Sequence, residues 1–394
     1  MKTNVAIVGV GETKYRTQIP DLNFSELAQQ AALSALADAG MTMDEIEAVV
    51  FSMAPSEFMG VNDPEKWAID AIGGRNKPFM RIHTGGATGG SAAQAGFYHV
   101  ASGLFDSVLV VGADKVAQTP DAQHILNLIW DPFYEKPMAL NTITMTALQA
   151  IRHMYKYGTT EEQLALVAVR SWKNAINNPY AHLRGKITVD DVMNSRMMSW
   201  PLKLYDCCPR SSGAAAAIMV SERKAKRLKT KPAWINGVGA TSHTVFMGDK
   251  MGPWADTDHG DWDELAMAAK MAYKMAGIQN PKKEIQVAEI YAPFTICEIL
   301  GVEALGFCEK GRGGILNHEG FFEMDGPLPV NPSGGTLCAN PIAVTALVRV
   351  CDAALQVMGK AENRQVKNIQ NALATGVGGS LQFHTIMVLG SDPN

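Results

Sequence analysis

Two glycine turns, a tyrosine at a strand end, a loop holding amides and a thiol, and a pair of adjacent cysteines are where residue type and spacing in this chain could do chemistry. The first turn is Arg81-Ile82-His83-Thr84-Gly85-Gly86-Ala87-Thr88-Gly89-Gly90-Ser91, which passes from an apolar strand through glycines into a helical pattern. Glycines there free the backbone for a tight turn that aims N–H groups at a ligand, and the helix N-terminus adds positive potential. The turn could cradle a phosphate, but its spacing is neither GxGxxG nor a P-loop, and no Lys follows the last glycine. An oxyanion hole for a thioester carbonyl is the alternative use. Close helix packing at a glycine turn is the purely structural one.

The second turn is Thr375-Gly376-Val377-Gly378-Gly379-Ser380, between two apolar strands, and alone it reads as a hairpin. Tyr291-Ala292-Pro293-Phe294 stands at a strand end, where α/β proteins place reactive groups. Asn331-Pro332-Ser333-Gly334-Gly335-Thr336-Leu337-Cys338-Ala339-Asn340-Pro341 is a long turn before a helix. In Tyr205-Asp206-Cys207-Cys208-Pro209-Arg210-Ser211-Ser212-Gly213 the adjacent cysteine side chains diverge in an extended chain, so both read as buried thiols. His83 and His384 lie within a few residues of the two glycine turns and are the base candidates, each with an ordinary core role as its alternative.

These segments need a large scaffold, and the composition allows one. The chain has 394 residues, 47% hydrophobic and 19% charged, with 36 Gly, 19 Pro and a net charge of −4, and its mean hydropathy is −0.03. Disordered, collagen-like and coiled-coil chains are excluded. No apolar run approaches the roughly 18 residues of a membrane span. The start Met1-Lys2-Thr3-Asn4-Val5 reads as the opening of a strand rather than a signal peptide, so a cytoplasmic protein is expected. No charge block argues for nucleic acid or a membrane surface. The six cysteines form no CxxC pair, so we expect reduced thiols and no metal held by this chain.

Apolar runs at 5–10, 48–53 and 107–112 predict strands, with helices at 24–39 and 91–103 between them. From 116 to 200 the texture changes to aromatics, Met and Pro, with helices predicted at 141–157 and 160–177, as an insertion covering the sheet. Regular patterning resumes at 213–220. Strands at 233–238 and 285–290, helices at 262–275, 294–305 and 343–358, and a closing strand pair at 371–375 and 385–389 make a second α/β half. Both halves open on a strand ending Gly-Val-Gly, at residues 9–11 and 237–239, and a duplicated α/β unit explains the echo.

Taken in order, the five segments resemble the thiolase superfamily, in the branch near the sterol-carrier-protein-X thiolases. Further likeness is carried by Tyr157-Gly158-Thr159-Thr160-Glu161-Glu162-Gln163-Leu164-Ala165, by Asn178-Pro179-Tyr180-Ala181-His182, and by Leu305-Gly306-Phe307-Cys308-Glu309-Lys310-Gly311 before Asn331-Pro332-Ser333. The resemblance implies two βαβαβαββ halves in a five-layered α/β/α/β/α body. The first half would be 1–115 with 201–228, the covering domain 116–200, and the second half 229–394. It further implies a homodimer, an acyl-CoA substrate and coenzyme A as co-substrate.

The customary catalytic positions depart from the pattern. The family's nucleophilic Cys falls on Gly86, its His on Asn340 and its second Cys on Gly376, while Tyr291 replaces an amide or imidazole. Two lineages of the family look like this, and both work with a small zinc-containing, OB-fold accessory subunit. One is the benzoylsuccinyl-CoA thiolase type of anaerobic toluene degradation; the other is the steroid side-chain aldolase type. The glycine turns and the Asn340 stretch favour the first, an acyl-CoA C-acyltransferase, over a retro-aldolase or a non-catalytic partner subunit. The likeness implies two routes. In direct thiolysis, Gly86, Gly378, Tyr291 and Asn340 stabilise the oxyanions; otherwise Cys338 takes over as nucleophile. Ser242 and His243 are expected beside the pantetheine arm.

Overall fold

In the computed structural model, which describes residues 3–53 and 55–394, one arrangement of strands is built twice. Met1 and Lys2 of the expected strand opening lie outside the described residues. The first half supplies β1 (Val5–Glu12), β2 (Ala48–Ser52), β3 (Phe79–Ile82) and β4 (Ser107–Asp114). Two short strands, β5 (Met197–Ser199) and β6 (Leu202–Lys203), pair in the covering segment before β7 (Gly213–Ser221) returns to the first half. The second half supplies β8 (Ala233–Ser242), β9 (Val287–Glu289), β10 (Asn371–Gly378) and β11 (Phe383–Gly390).

The main sheet runs β3-β2-β4-β7-β1-β8-β11-β10-β9. From its outer edge the first half reads β3-β2-β4-β7-β1. The second half reads in the same sense, Val330-β9-β10-β11-β8, because a parallel bridge between Ala288 and Val330 stands in for its missing edge strand. Directions repeat as well: β2 with β4 and β9 with β10 are parallel, while β4 with β7 and β10 with β11 are antiparallel. The halves join through a short pairing of β1 with β8.

The helices of the first half are α1 (Phe24–Ala39), α2 (Glu65–Ala68) and α3 (Thr88–Ala101). The covering segment carries α4 (Ala122–Leu126), α5 (Thr142–Tyr157), α6 (Glu161–Ala175) and α7 (Val189–Met193). After it come α8 (Glu222–Ala225), α9 (Asp263–Ala276), α10 (Pro281–Glu284), α11 (Thr295–Ala304), α12 (Gly313–His318) and α13 (Ile342–Met358). Helices α3 and α13 pack on each other and touch strands of both halves, whereas α1 covers β1 and β7 and α9 covers β8 and β11. The result is helix, sheet, helix, sheet, helix. This layering explains why β1, β4 and β7 read as unbroken apolar runs: both of their faces are covered, and every residue is buried. It also explains why 15 of the 17 residues of α13 are buried.

The Gly-Val-Gly echo has a packing cause. A side chain at Gly11 would overlap the Ala31 carbonyl of α1, and one at Gly239 would overlap the Ala268 carbonyl of α9, so glycine lets each outer helix lie directly on its strand. The helices of the covering segment start where polar residues cap them. Asn141 accepts from the N–H groups of Ile143 and Thr144, and Thr160 forms a capping box with Gln163.

Among the element boundaries that shift from the pattern, two bear on the site. Helix α3 begins at Thr88 rather than 91, with glycine tolerated in its first turn because Gly89 lies against the backbone N of Leu347 in α13. Strand β9 is shorter than 285–290. Past Glu289 its backbone donors go to side chains: Ile290 N–H to Asn331 Oδ1 at 2.7 Å and Tyr291 N–H to Thr375 Oγ1 at 2.9 Å. These bonds fix the direction in which Tyr291 leaves the sheet.

Candidate active site

The carboxyl ends of β3 and β9 and the β10–β11 hairpin open into a cavity of about 620 Å³ beneath the covering helices. Its floor is made by Gly85 and Gly86, Tyr291, Asn340, and Gly378 with Gly379. The two glycine turns, nearly 300 residues apart in the chain, meet backbone to backbone: a Cβ built on Gly85 would lie 2.7 Å from Gly379 N. Close approach and the positive φ of Gly85 (60°) and Gly379 (66°) together require glycine there. Helices α3, α11 and α13 all begin at this floor, just after Gly86, Phe294 and Asn340. Three helix N-termini give it positive potential suited to a developing oxyanion.

Tyr291 is 4% exposed and its ring borders the cavity. Burial raises its hydroxyl far above the usual phenol range, so it remains protonated and available as a hydrogen-bond donor. A Cβ on Gly86 would sit 2.7 Å from the Tyr291 Oη and 2.5 Å from the Val377 carbonyl oxygen. The tyrosine hydroxyl therefore occupies the space that a side chain at residue 86 would need.

The Asn340 amide is held at both ends. Thr345 Oγ1 donates to its Oδ1 at 2.8 Å, and its Nδ2 donates to Cys208 Sγ at 3.1 Å. Its backbone N–H donates to Ser211 Oγ at 3.0 Å. His83 also lines the cavity, and burial, helped by the neighbouring Arg81 cation, lowers its pKa below the ordinary value of 6.5. It is neutral at pH 7 and able to accept a proton. Aromatic and aliphatic side chains form the walls, among them Phe58, Trp172, Tyr205, Trp262 and Phe294. Among the described residues, no Asp or Glu lines the cavity and no group of three or more His, Cys, Asp or Glu is placed to hold a metal ion.

Of the residues singled out by sequence, Gly86, Gly378, Tyr291, Asn340 and His83 come together here. Five do not reach the cavity. Cys338 is fully buried against Ala175, Ala181 and Trp172, and burial raises its thiol pKa. The expectation that it faces the site is corrected: the loop turns Asn340 inward and Cys338 outward, where its carbonyl accepts from the N–H groups of His182 and Leu183. His384 lies behind the wall formed by Trp262 and Leu381. Its Nε2 is 3.2 Å from the Leu381 carbonyl, and burial lowers its pKa to about 4, so it is a neutral core histidine rather than a base facing the cavity. Ser242 pairs with Phe383, and His243 Nε2 stands 3.4 Å from Glu264, both outside the cavity lining. Gly376 is likewise enclosed, by Thr385 and Ala346.

The thiols that do line the cavity are Cys207, Cys208 and Cys297. The adjacent pair thus borders the site rather than lying wholly in the core. Cys208 reaches Asn340 across 132 positions, a contact that no local pattern announces. Burial pushes its thiol up to about 11, although the Asn340 donor pulls the other way. A thiol this protonated is a poor nucleophile at pH 7. Iodoacetamide labelling of Cys208 is therefore expected to be slow at pH 7 and to rise about tenfold per pH unit toward its pKa. Cys338→Ala is expected to keep turnover within about twofold, at about 1 kcal/mol in stability. Rapid labelling at pH 7, or an inactive but folded Cys338→Ala protein, would contradict this placement.

Residues 5–223 match the thiolase N-terminal domain, and residues 255–391 match the thiolase C-terminal domain-like family. An acetyl-CoA acetyltransferase of Methanothermobacter thermautotrophicus is 34% identical, over 96% of this chain and 97% of that protein. The benzoylsuccinyl-CoA thiolase subunit BbsB of Thauera aromatica is 29% identical, over 96% of this chain and 95% of its own. Among solved structures, an Ltp2-ChsH2(DUF35) aldolase superposes with a TM-score of 0.83 at 28% identity, covering 98% of this chain and 97% of that one. The repeated strand order, the paired central helices and the glycine-floored cavity are accounted for together: the chain belongs to the thiolase family.

Proposed function

We propose that this chain cleaves, or in the reverse direction forms, the C–C bond of a β-ketoacyl-CoA by direct attack of free coenzyme A, without an acyl-enzyme on a cysteine of its own. The observation that carries the proposal is the Tyr291 hydroxyl standing where a side chain on residue 86 would be, which replaces a nucleophile with a donor.

In this scheme the thiol of coenzyme A gives its proton to the neutral His83 imidazole, the one imidazole among the described cavity residues. The thiolate adds to the β-ketone, and the alkoxide that forms is stabilised by the Tyr291 hydroxyl and the Asn340 amide, beside the N-termini of α3 and α13. Collapse breaks the Cα–Cβ bond. Its electron pair passes into the enolate of the departing thioester, which the Gly86 and Gly378 turn supports, and the enolate carbon takes the proton back from His83. Two acyl-CoA molecules leave and no proton is lost overall.

The wide aromatic walls suit a bulky apolar acyl group. Together with the likeness to BbsB, they favour a substrate such as 2-benzoylsuccinyl-CoA, giving benzoyl-CoA and succinyl-CoA. The likeness to an Ltp2-ChsH2(DUF35) aldolase and to a thiolase subunit supports a partner chain; we take that partner to be a small zinc-containing OB-fold accessory subunit, working with a homodimer of this chain. The same aldolase likeness supports a second reading, retro-aldol cleavage of a β-hydroxyacyl-CoA. Product analysis with and without free coenzyme A separates the two: thiolysis requires it, and aldol cleavage releases an aldehyde or ketone in its absence.

A further inference from the structure

Beside the main cavity lies a second one of about 430 Å³, more polar, lined by Thr17, Thr119, His182 and Arg210 among others. The two share Leu183, Pro209 and Arg210, so Arg210 stands at their junction. Its side chain is exposed and makes no ion pair or hydrogen bond to any described residue. The chain carries 39 Asp and Glu against 35 Lys and Arg, yet among the described residues no carboxylate lines either cavity. The charged side chains that do are Arg196 and Arg210.

The recess is built rather than incidental. Ser211 Oγ accepts from the Asn340 backbone N–H at 3.0 Å and shares a hydrogen bond with His182 Nδ1 at 2.9 Å. His182 Nε2 shares a second hydrogen bond with Thr17 Oγ1 at 3.1 Å, one ring nitrogen donating and the other accepting. A continuous set of hydrogen bonds therefore ties the recess to the Asn340 floor of the main cavity, and Arg210 immediately precedes Ser211 in the chain. An exposed guanidinium beside a polar recess, with no internal carboxylate to neutralise it, is available to a planar or tetrahedral oxyanion.

We propose that Arg210 and this recess bind an anionic oxygen group of the substrate, a carboxylate on its acyl portion or a phosphate of its coenzyme A, while the uncharged acyl portion occupies the main cavity. This rests on the acyl-CoA reading of the site. The test is equilibrium binding, which needs no turnover, of the full-length wild type and the Arg210→Gln and Arg210→Lys variants. The probes are glutaryl-CoA, benzoyl-CoA, and the corresponding N-acetylcysteamine thioesters, which lack phosphates.

Arg210→Gln is expected to weaken binding about tenfold or more, with partial recovery in Arg210→Lys. Loss confined to the two glutaryl probes assigns the anion to the acyl carboxylate. Loss for both coenzyme A esters and neither cysteamine ester assigns it to a phosphate. Wild-type binding that Arg210→Gln leaves unchanged for all four probes overturns the inference and spares the acyl-CoA reading. A wild type that binds none of them overturns both.

Discussion

Tyr291→Phe is expected to lower kcat by about 10²–10³-fold, equivalent to about 2.7–4 kcal/mol of transition-state stabilisation, with KM changed by less than about threefold. The hydroxyl borders the cavity on the same floor as the Asn340 amide. It is held protonated by burial, so its role is to donate to a charge that develops only as the thiolate adds. An interaction made in the transition state and not in the ground state appears in kcat rather than KM. The fold is not at stake, because the hydroxyl donates to no described protein group and the residue's backbone N–H bond to Thr375 Oγ1 is kept. The melting temperature should stay within a few degrees of wild type. Near-normal kcat in a folded Tyr291→Phe protein would remove the tyrosine from the chemistry.

The second large effect comes from the smallest possible addition. Gly86→Ala places a methyl group 2.7 Å from the Tyr291 Oη and 2.5 Å from the Val377 carbonyl oxygen. Real Cβ contacts do not come this close, so something must move. The ring is the freer of the two, since Val377 belongs to β10 and its backbone is tied into the sheet. Displacing a catalytic donor by about 1 Å costs on the order of 10²-fold. The double-mutant cycle makes the claim specific. In a Tyr291→Phe background there is no hydroxyl left to displace, so adding Gly86→Ala should cost less than about tenfold more. Fully additive losses in the double variant would mean that the methyl group acts through the β10 backbone and not through Tyr291.

Much of this was readable before the structure, and the limits have physical causes. Runs such as 107–112 betrayed buried strands because both faces of the sheet are covered. The strand bridge at Val330 was not readable. It consists of a single bridged residue, held by Ala288 N–H donating to the Pro329 carbonyl, and carries no periodicity. The buried cluster in which Arg349 pairs with Glu289 and Asp352, and Arg364 with Asp352, was also missed. Only the Arg349–Asp352 spacing is local; Glu289 lies 60 positions away. At the site, glycine turns and strand ends pointed to Gly86, Gly378 and Tyr291. Cys338 and Asn340 share one loop, and which of them faces the cavity depends on a turn whose direction is set by Ser211, Thr345 and Cys208. A linear motif holds no record of those partners.

In direct thiolysis the attacking thiol belongs to coenzyme A and not to the protein. The most direct measurement is intact-protein mass spectrometry on samples quenched after mixing enzyme with acetoacetyl-CoA or benzoylacetyl-CoA, first without free coenzyme A and then with it, in the presence of any chain that co-purifies. No mass gain and no cleavage are expected until coenzyme A is added, followed by paired acyl-CoA products. An acyl adduct on the protein before coenzyme A is added, mapped to Cys208 or any other cysteine, would contradict direct thiolysis.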